Sequence, residues 1–286
     1  MQNITFFHSN FLYSQTDSYH LSISFRRDGF SFIIVDRDAD ELQASVFYSI
    51  DDSLSYDEYV EECSRFLNHE AFSYSYKQIS CMYSSHHITI APKSLCKQDD
   101  LRTILQFNHE IDKDESVYAY SLTNSDAVLV YAVSQQLIDM CRGRFEQSFD
   151  MFPHSASLLE SSILHNKLED GYSVFISLES SFFDIVILHK GNIIMYNTFS
   201  FANINDYVYY IMNVFEQLQL NQMKTPVVLT GRISKTSSYY EATCMFIKNV
   251  TIVQPLPLHA KMIARPPFTD ISYPLFYQLF TINICE

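Results

Sequence analysis

Residues 172–188 read YSVFISLESSFFDIVIL, two apolar runs joined by a short polar stretch. Runs rich in β-branched and aromatic residues around such a stretch are typical of a β-hairpin. The turn contains no glycine, and Glu179 places a carboxylate where the backbone reverses. Turns that close their backbone N–H groups on a phosphate commonly use glycine, because it has no Cβ to hold the ligand away. The stretch therefore predicts a hairpin without the usual means of gripping a phosphate.

The pattern around this hairpin occurs twice in the chain. In the first half, residues 19–36 (YHLSISFRRDGFSFIIVD) predict a hairpin, and a strand, an amphipathic helix capped by Ser55 and another strand follow. In the second half, the hairpin is followed in the same order by a strand, a helix and another strand. These are residues 193–201 (IIMYNTFSF), a helix opened by Asn205 and Asp206, and the strand TPVVLTG. Each half thus reads strand–strand–strand–helix–strand, which indicates two copies of one α/β unit.

Such a duplication resembles the actin-like ATPase superfamily, whose fold is ribonuclease-H-like. The resemblance implies an α/β protein with two lobes, each with a mixed central sheet flanked by helices. We expect residues 1–167 to form the first lobe and residues 168–286 the second, with the aromatic tail at about 266–286 docking back on the first lobe. In the superfamily, the first hairpin of each half grips nucleotide phosphates and a later glycine turn holds adenosine.

The second hairpin matches the superfamily in its apolar frame but not in its phosphate chemistry. The phosphate loop there begins Asp-Leu-Gly-Gly-Gly-Thr-Phe-Asp, and this chain has Ser177 at the first Asp. The three glycines are replaced by Glu179, Ser180 and Ser181, whereas Asp184 matches the last Asp. A carboxylate at the turn repels a phosphate, since two like charges about 4 Å apart cost about 1 kcal/mol even in water.

The first hairpin departs from the pattern in the same way. Ser24 stands at the Asp of the superfamily loop, and Arg26 and Arg27 stand at its Gly and Thr. We interpret the Arg-Arg-Asp-Gly tip, residues 26–29, as a solvated turn rather than as a phosphate site. Of the adenosine motif only Gly231 is present. Ser24 also replaces a carboxylate that a ribonuclease-H-like nuclease would need for magnesium, which argues against that activity.

The sequence is also similar to an uncharacterised bacterial family, domain of unknown function 3822, which is typical of Bacteroidetes. The resemblance rests on the early hairpin LSISFRRDGFSF, the middle hairpin and the tail SYPLFYQLFT, and it covers nearly the whole chain. It implies no activity, because none is assigned to the family.

Composition excludes several classes of function. The net charge of −14 argues against nucleic-acid binding and against a polybasic membrane surface. We predict no signal peptide, no transmembrane segment and a cytoplasmic location, with six reduced cysteines. The adjacent His86 and His87 would point to opposite faces of a strand and so could not bind one metal ion together, and we predict no metal site. We also predict no cofactor.

We therefore expect a non-catalytic actin-like protein that binds an unidentified protein partner through the cleft between the lobes or through an aromatic face. A homodimer stays open as an alternative. A second hypothesis is a divergent ATP-binding protein, ATPase or nucleotide sensor in which Arg26, Arg27 and Asp184 take over the missing roles. A third is a structural adaptor, like the actin-related pilus proteins, that recruits a membrane partner.

Overall fold

A computed structural model describes residues 3–167 and 169–282. The strands in chain order are β1 (Ile4–Phe7), β2 (His20–Arg26), β3 (Gly29–Asp36), β4 (Glu41–Ser49), β5 (Gln78–Tyr83), β6 (Ile88–Pro92), β7 (Glu115–Ser121), β8 (Ala127–Ser134), β9 (Asp150–Pro153), β10 (Tyr172–Leu178), β11 (Phe182–His189), β12 (Asn192–Ser200), β13 (Val227–Gly231) and β14 (Val250–Ile252). The helices are α1 (Tyr56–Leu67), α2 (Leu101–Gln106), α3 (Gln135–Arg144), α4 (His154–Asn166), α5 (Ile204–Gln217), α6 (Ser238–Phe246), α7 (Pro257–Ile263) and α8 (Tyr273–Thr281).

The described residues fall into two compact units, and the division lies within α4. The first unit contains residues 3–121, 126–156 and 255–271, and the second contains residues 122–125, 157–254 without 168, and 272–282. The sequence-based lobe limits, 1–167 and 168–286, remain a proposal.

Each unit has a mixed sheet in which the same strand order is repeated. The first sheet has the order β1-β4-β3-β2-β5-β9 and the second the order β12-β11-β10-β13-β14. In both, three antiparallel strands are followed by parallel pairing, of β2 with β5 and of β10 with β13. In both sheets the pairing of the second antiparallel strand with the third is irregular after the sixth residue. The register of β3 against β4 shifts between Ile34 and Val35, and that of β11 against β12 shifts between Ile187 and Leu188. The duplication predicted from sequence is confirmed down to this irregularity.

A further antiparallel sheet of the first unit has the order β6-β8-β7. One face is covered by α2, and its small core consists of Leu101, Leu105, Val128, Val130 and Ala132. The short strands β1 and β9 were not predicted from the sequence, because four residues carry little periodic signal.

The core of the second unit lies between its sheet and the helices α5 and α6. Fully buried side chains of β10 and β11 alternate toward α5, whose buried face includes Tyr207, Ile211 and Phe215. The hydroxyl groups of Tyr207 and Thr243 are 3.0 Å apart and link α5 to α6 inside this core. The buried hydroxyl of Tyr207 thus has a partner, as a polar group in an apolar core requires.

The C-terminal segment is divided between the two units. In the first unit α7 packs on β4, and Arg265 forms an ion pair with Glu41. In the second unit α8 packs on β13, and Gln278 of α8 accepts a hydrogen bond at its carbonyl from Ser157 (2.7 Å). Ser157 lies within the predicted first lobe, 1–167, but in the second compact unit. The docking of residues 266–286 on the first lobe therefore stays a prediction. Residues 283–286 lie outside the described part of the chain.

Candidate functional site

The hairpin β10–β11 ends in a tight turn at residues 179–181. The N–H of Glu179 donates to the carbonyl of Phe182 (2.9 Å), and the N–H of Phe201 donates to the carbonyl of Ser181 (2.9 Å). Glu179 is only 4% exposed, whereas Ser180 is half-buried and Ser181 is exposed. At the position where a glycine of the superfamily loop would bare its N–H to phosphate, this chain therefore has a buried carboxylate and an N–H engaged within the turn.

Ser177 and Asp184 lie opposite each other on β10 and β11, and both are fully buried. Ser177 Oγ accepts a hydrogen bond from Gln278 Nε2 (3.2 Å). Asp184 Oδ1 accepts hydrogen bonds from Thr198 Oγ1 (2.6 Å) and from the hydroxyl of Tyr196 (3.0 Å). Asp184 thus binds β12 side chains to β11 from inside the sheet.

Gly231 ends β13 beside the same hairpin. Its φ is +82°, and a Cβ at this position would lie 2.2 Å from the carbonyl oxygen of Leu178. The neighbouring N–H of Arg232 donates to that same carbonyl (2.7 Å). The glycine of the adenosine-motif position therefore has a structural reason in this chain, because only glycine lets β13 approach the end of β10 this closely.

The tip of the first hairpin, β2–β3, is not the solvated turn that the sequence indicated. Arg26 is 4% exposed and Asp28 3% exposed. Their side chains form an ion pair, with Arg26 Nε 3.4 Å from Asp28 Oδ1, and the guanidinium lies 5.4 Å from the ring centre of Phe47. The interpretation was wrong because strand pairing continues to Arg26 and Gly29 at the very tip, which keeps the Arg26 side chain on the sheet beside β4.

Arg27 also contacts its own unit. Its Nη2 donates to the carbonyl of Leu54 (2.6 Å), and its guanidinium lies 4.8 Å from the ring centre of Tyr59. Burial raises the pKa of Tyr59 well above its usual value, and the charge of Arg27 acts in the opposite direction. A cation held over an aromatic ring is worth about 0.5–2 kcal/mol, according to its desolvation.

The predicted site residues thus form two sets, one in each unit. Ser24, Arg26 and Arg27 belong to the first unit, and Ser24 is buried within β2. Ser177, Glu179, Ser180, Ser181, Asp184 and Gly231 gather around the ends of β10 and β13 in the second. The hydroxyls of Ser24 and Ser177 are uncharged at neutral pH, so neither supplies the carboxylate oxygen that magnesium prefers.

Within residues 3–167 and 169–282, no three His, Cys, Asp or Glu side chains are arranged to hold a metal ion. No helix in these ranges is both long enough and apolar enough to cross a membrane.

A groove in the first unit was not found from the sequence. Its volume is about 540 Å³, and it lies between β7, α3 and the segment that leads into β9. Its lining consists of Tyr118, Ile138, Arg142 and the continuous run from Phe145 to Met151. The alternating tyrosines of VYAY in β7 were the available signal, but their proximity to residues 145–151 depends on the tertiary fold. We call this feature the β7 groove.

One family model matches most of the chain. The model described as "Protein of unknown function (DUF3822)" matches residues 8–250. The chain belongs to this family. A DUF3822 membership agrees with the resemblance seen in the hairpin LSISFRRDGFSF.

Solved structures place this DUF3822 protein in the actin-like ATPase fold. A Bacteroides thetaiotaomicron protein "with actin-like ATPase fold and unknown function" is 24% identical, with a TM-score of 0.76 over 85% of this chain and 93% of that chain. A chain of the "PilM-PilN type IV pilus biogenesis complex" is 11% identical, with a TM-score of 0.60 over 93% of this chain and 98% of that chain. No curated protein matches the sequence. At these identities the similarity shows the fold alone.

Proposed function

We propose that this protein is a non-catalytic actin-like module that works by binding a protein partner and whose hairpin tips do not hold a nucleoside triphosphate. The observation that carries the proposal is the buried Glu179 carboxylate in the turn at residues 179–181. A phosphate seated there would meet this side chain at the place where the glycines of the superfamily loop leave their N–H groups bare.

The alternative is a divergent ATP-binding protein, ATPase or nucleotide sensor that uses Arg26, Arg27 and Asp184. The contacts of these side chains favour the non-catalytic proposal. Arg26 pairs with Asp28, and Asp184 accepts two hydroxyl hydrogen bonds. Recruiting Arg26 to a phosphate would break a buried ion pair, and recruiting Asp184 to magnesium would break two hydrogen bonds to a buried side chain, and both changes cost free energy.

A protein partner is supported by two further observations. The β7 groove offers aromatic side chains, including Tyr118 and Phe149, next to exposed polar groups, which is the composition of many interfaces. In addition, a chain with this fold occurs in a complex named for two proteins, PilM and PilN. A binding role needs no phosphate chemistry, so it is compatible with the turn at residues 179–181.

Calorimetric titration of the full chain with ATP and magnesium tests the nucleotide part of the proposal. We expect no binding at about millimolar ATP, which corresponds to an interaction weaker than about −4 kcal/mol. The Glu179→Gly variant, which restores the glycine of the superfamily loop at this position, should bind at least as well as the wild type.

Two results would favour the alternative. One is wild-type binding with a Kd of about 1 μM that Arg26→Ala abolishes while the variant stays folded by circular dichroism. The other is magnesium-dependent ATP hydrolysis that disappears in Asp184→Asn, a variant that preserves the size of the buried side chain.

A further inference from the structure

The outer edge of β7 is open in the described residues. β7 pairs with β8 on one side, and within residues 3–167 and 169–282 no strand pairs with its other side. Ala119 and Ser121 are exposed along this edge. An open edge presents unpaired backbone N–H and C=O groups, to which an extended chain can add as a further strand.

The register shows which backbone groups point outward. The N–H of Gln135 donates to the carbonyl of Asp114 (2.9 Å), so this opposed pair is a hydrogen-bonded one. Such pairs alternate along an antiparallel ladder. The next ones are therefore Ser116 with Val133 and Tyr118 with Tyr131. The backbone groups of the intervening residues, Val117 and Ala119, then point away from β8 and toward the open edge.

The opposite edge of the same sheet is protected. By the same alternation, starting from the hydrogen bond between the N–H of Ala132 and the carbonyl of His87 (3.0 Å), Ile88 and Ile90 of β6 face outward. His109 Nε2 lies 3.0 Å from the carbonyl of Ile88, and β6 ends in Pro92. Prolines and covered carbonyls are common means of blocking an edge strand. The two edges of one small sheet thus differ, and the difference identifies β7 as the one suited to pairing.

The β7 groove lies beside this open edge, because Tyr118 of β7 lines it. Phe149 and Met151, which are half-buried, supply further apolar surface for the side chains of an added strand. Successive side chains of an extended segment point to opposite faces, so every second residue would enter the groove. The geometry therefore fits a segment with apolar residues at alternate positions.

The charged side chains around the β7 groove favour one kind of bound segment. Glu146 and Asp150 of the groove lining are exposed carboxylates, whereas the guanidinium of Arg142 is paired with Asp139 (3.4 Å). Asp114, just before β7, is exposed as well. A second copy of this chain carries the same net charge of −14 and would bring like charges together. A basic segment is complementary to this surface.

We infer that the β7 edge and the β7 groove bind an extended segment of another protein in which apolar and basic residues alternate, by adding that segment to the sheet β6-β8-β7 as a strand. The inference rests on the proposed partner-binding function and names the site and the chemistry of the partner.

The test starts with a displayed library of random 12-residue peptides, selected on the immobilised full chain. A recovered peptide is then synthesised with a fluorophore and titrated by anisotropy against the wild type, Ala119→Pro and Ile90→Pro. Ala119→Pro removes an outward N–H without touching the ladder with β8, which edge strands tolerate. Ile90→Pro is the matched change on the opposite edge. We expect binders with alternating apolar and basic residues, whose affinity falls at least about tenfold in Ala119→Pro and stays unchanged in Ile90→Pro.

Two further measurements keep the test decisive if Ala119→Pro is poorly folded. Amide hydrogen exchange should show protection of Val117 and Ala119 when the peptide binds. The surface variant Glu146→Lys, which leaves the edge intact, should weaken a basic peptide by about three- to tenfold in low salt.

Several outcomes would overturn the inference: no recovered peptide, acidic peptides, equal binding to Ala119→Pro, or a dimer in light scattering that Ala119→Pro dissociates. These failures are distinguishable from failure of the proposed function. Peptides that bind elsewhere leave partner binding in place, and ATP binding in the calorimeter would contradict the non-catalytic proposal whatever the peptides do.

Discussion

At the scale of single residues, the ends of the two hairpins show that a residue type does not reveal its surroundings. Arg26 and Asp28 belong to a tetrapeptide that is usually solvated, yet both are buried and paired. Glu179 lies in a turn but is shielded from water. For Arg26 a residue distant in sequence contributes to the burial, because the guanidinium lies over the ring of Phe47 in β4.

Gly231 provides a prediction at this scale. A Cβ in Gly231→Ala would lie 2.2 Å from the Leu178 carbonyl oxygen at a φ of +82°. Because both the backbone conformation and the contact are unfavourable, we expect the free energy of unfolding to fall by about 3 kcal/mol or more. Urea unfolding of the purified variant measures this change.

Gly143 is the matched control, because a Cβ there meets nothing within 4 Å. It lies in α3, where alanine is favoured over glycine, so Gly143→Ala should raise stability by about 0.5–1 kcal/mol. Equal effects of the two substitutions would contradict the close approach of β13 to β10.

At the scale of elements, local signals were sufficient wherever an element is long and periodic. The helix α1 begins at the capping box that the sequence predicts, in which Ser55 and Glu58 bond reciprocally. The helix α5 begins one position earlier than expected, because Asn203 accepts hydrogen bonds from the N–H groups of Asn205 and Asp206. Cap residues are local, so errors of this kind stay within a residue or two.

The sheet β6-β8-β7 leads to a prediction about pH. His87, next to β6, forms an ion pair with Glu115 of β7, with His87 Nδ1 3.1 Å from the carboxylate. The hydrogen bond that His87 donates to the Glu115 carboxylate raises the pKa of His87 above its usual 6.5. Burial acts to raise the pKa of Glu115, but the hydrogen bond and charge of His87 outweigh it, and the pKa is lowered from 4.5.

Other groups around this pair also respond to pH. Burial lowers the pKa of His109, whose ring centre lies 5.8 Å from that of His87. The N–H of Asp112 donates to the carboxylate of Glu115 (3.1 Å), and Arg102 Nη2 donates to its backbone carbonyl (2.7 Å). Because the pKa of His109 is lowered in the folded protein, its protonation below about pH 6.5 reduces the free energy of unfolding. This effect is the same in the wild type and in a His87 variant.

The pair should stabilise the protein most between about pH 5 and 6.5. The Glu115 contribution is lost as pH falls through its lowered pKa, and the His87 contribution is lost as pH rises through its raised pKa. His87→Gln should therefore cost about 0.5–1 kcal/mol in urea unfolding at about pH 5.5, and less at about pH 8.5, since the pair is partly exposed. In a double-mutant cycle, Glu115→Gln should add little once His87 is replaced. An unchanged pH dependence in His87→Gln would contradict the pairing.

At the scale of the whole molecule, the net charge leads to a prediction about self-association. The chain carries −14 at pH 7, and its isoelectric point is about 5.0. Molecules of like charge repel, so the second virial coefficient from light scattering should be positive at about pH 7.5 in low salt and should decrease as the pH approaches 5. Salt at about 0.3 M should reduce this difference by screening. Stronger self-association at pH 7.5 than at pH 5 would contradict charge control and would favour a specific homodimer.

Local patterns in the amino-acid sequence were sufficient to predict the repeated unit, its hairpins, most of its helices and the resemblance to the actin-like superfamily. These features depend on the alternation of apolar residues, on turn composition and on caps, all of which act between neighbours in the chain. Three other features required the tertiary fold: the burial of Arg26 and Asp28, the need for glycine at Gly231 beside Leu178, and the open edge of β7 beside a groove. Each of these depends on contacts between segments far apart in sequence, and such contacts cannot be predicted from patterns among neighbouring residues.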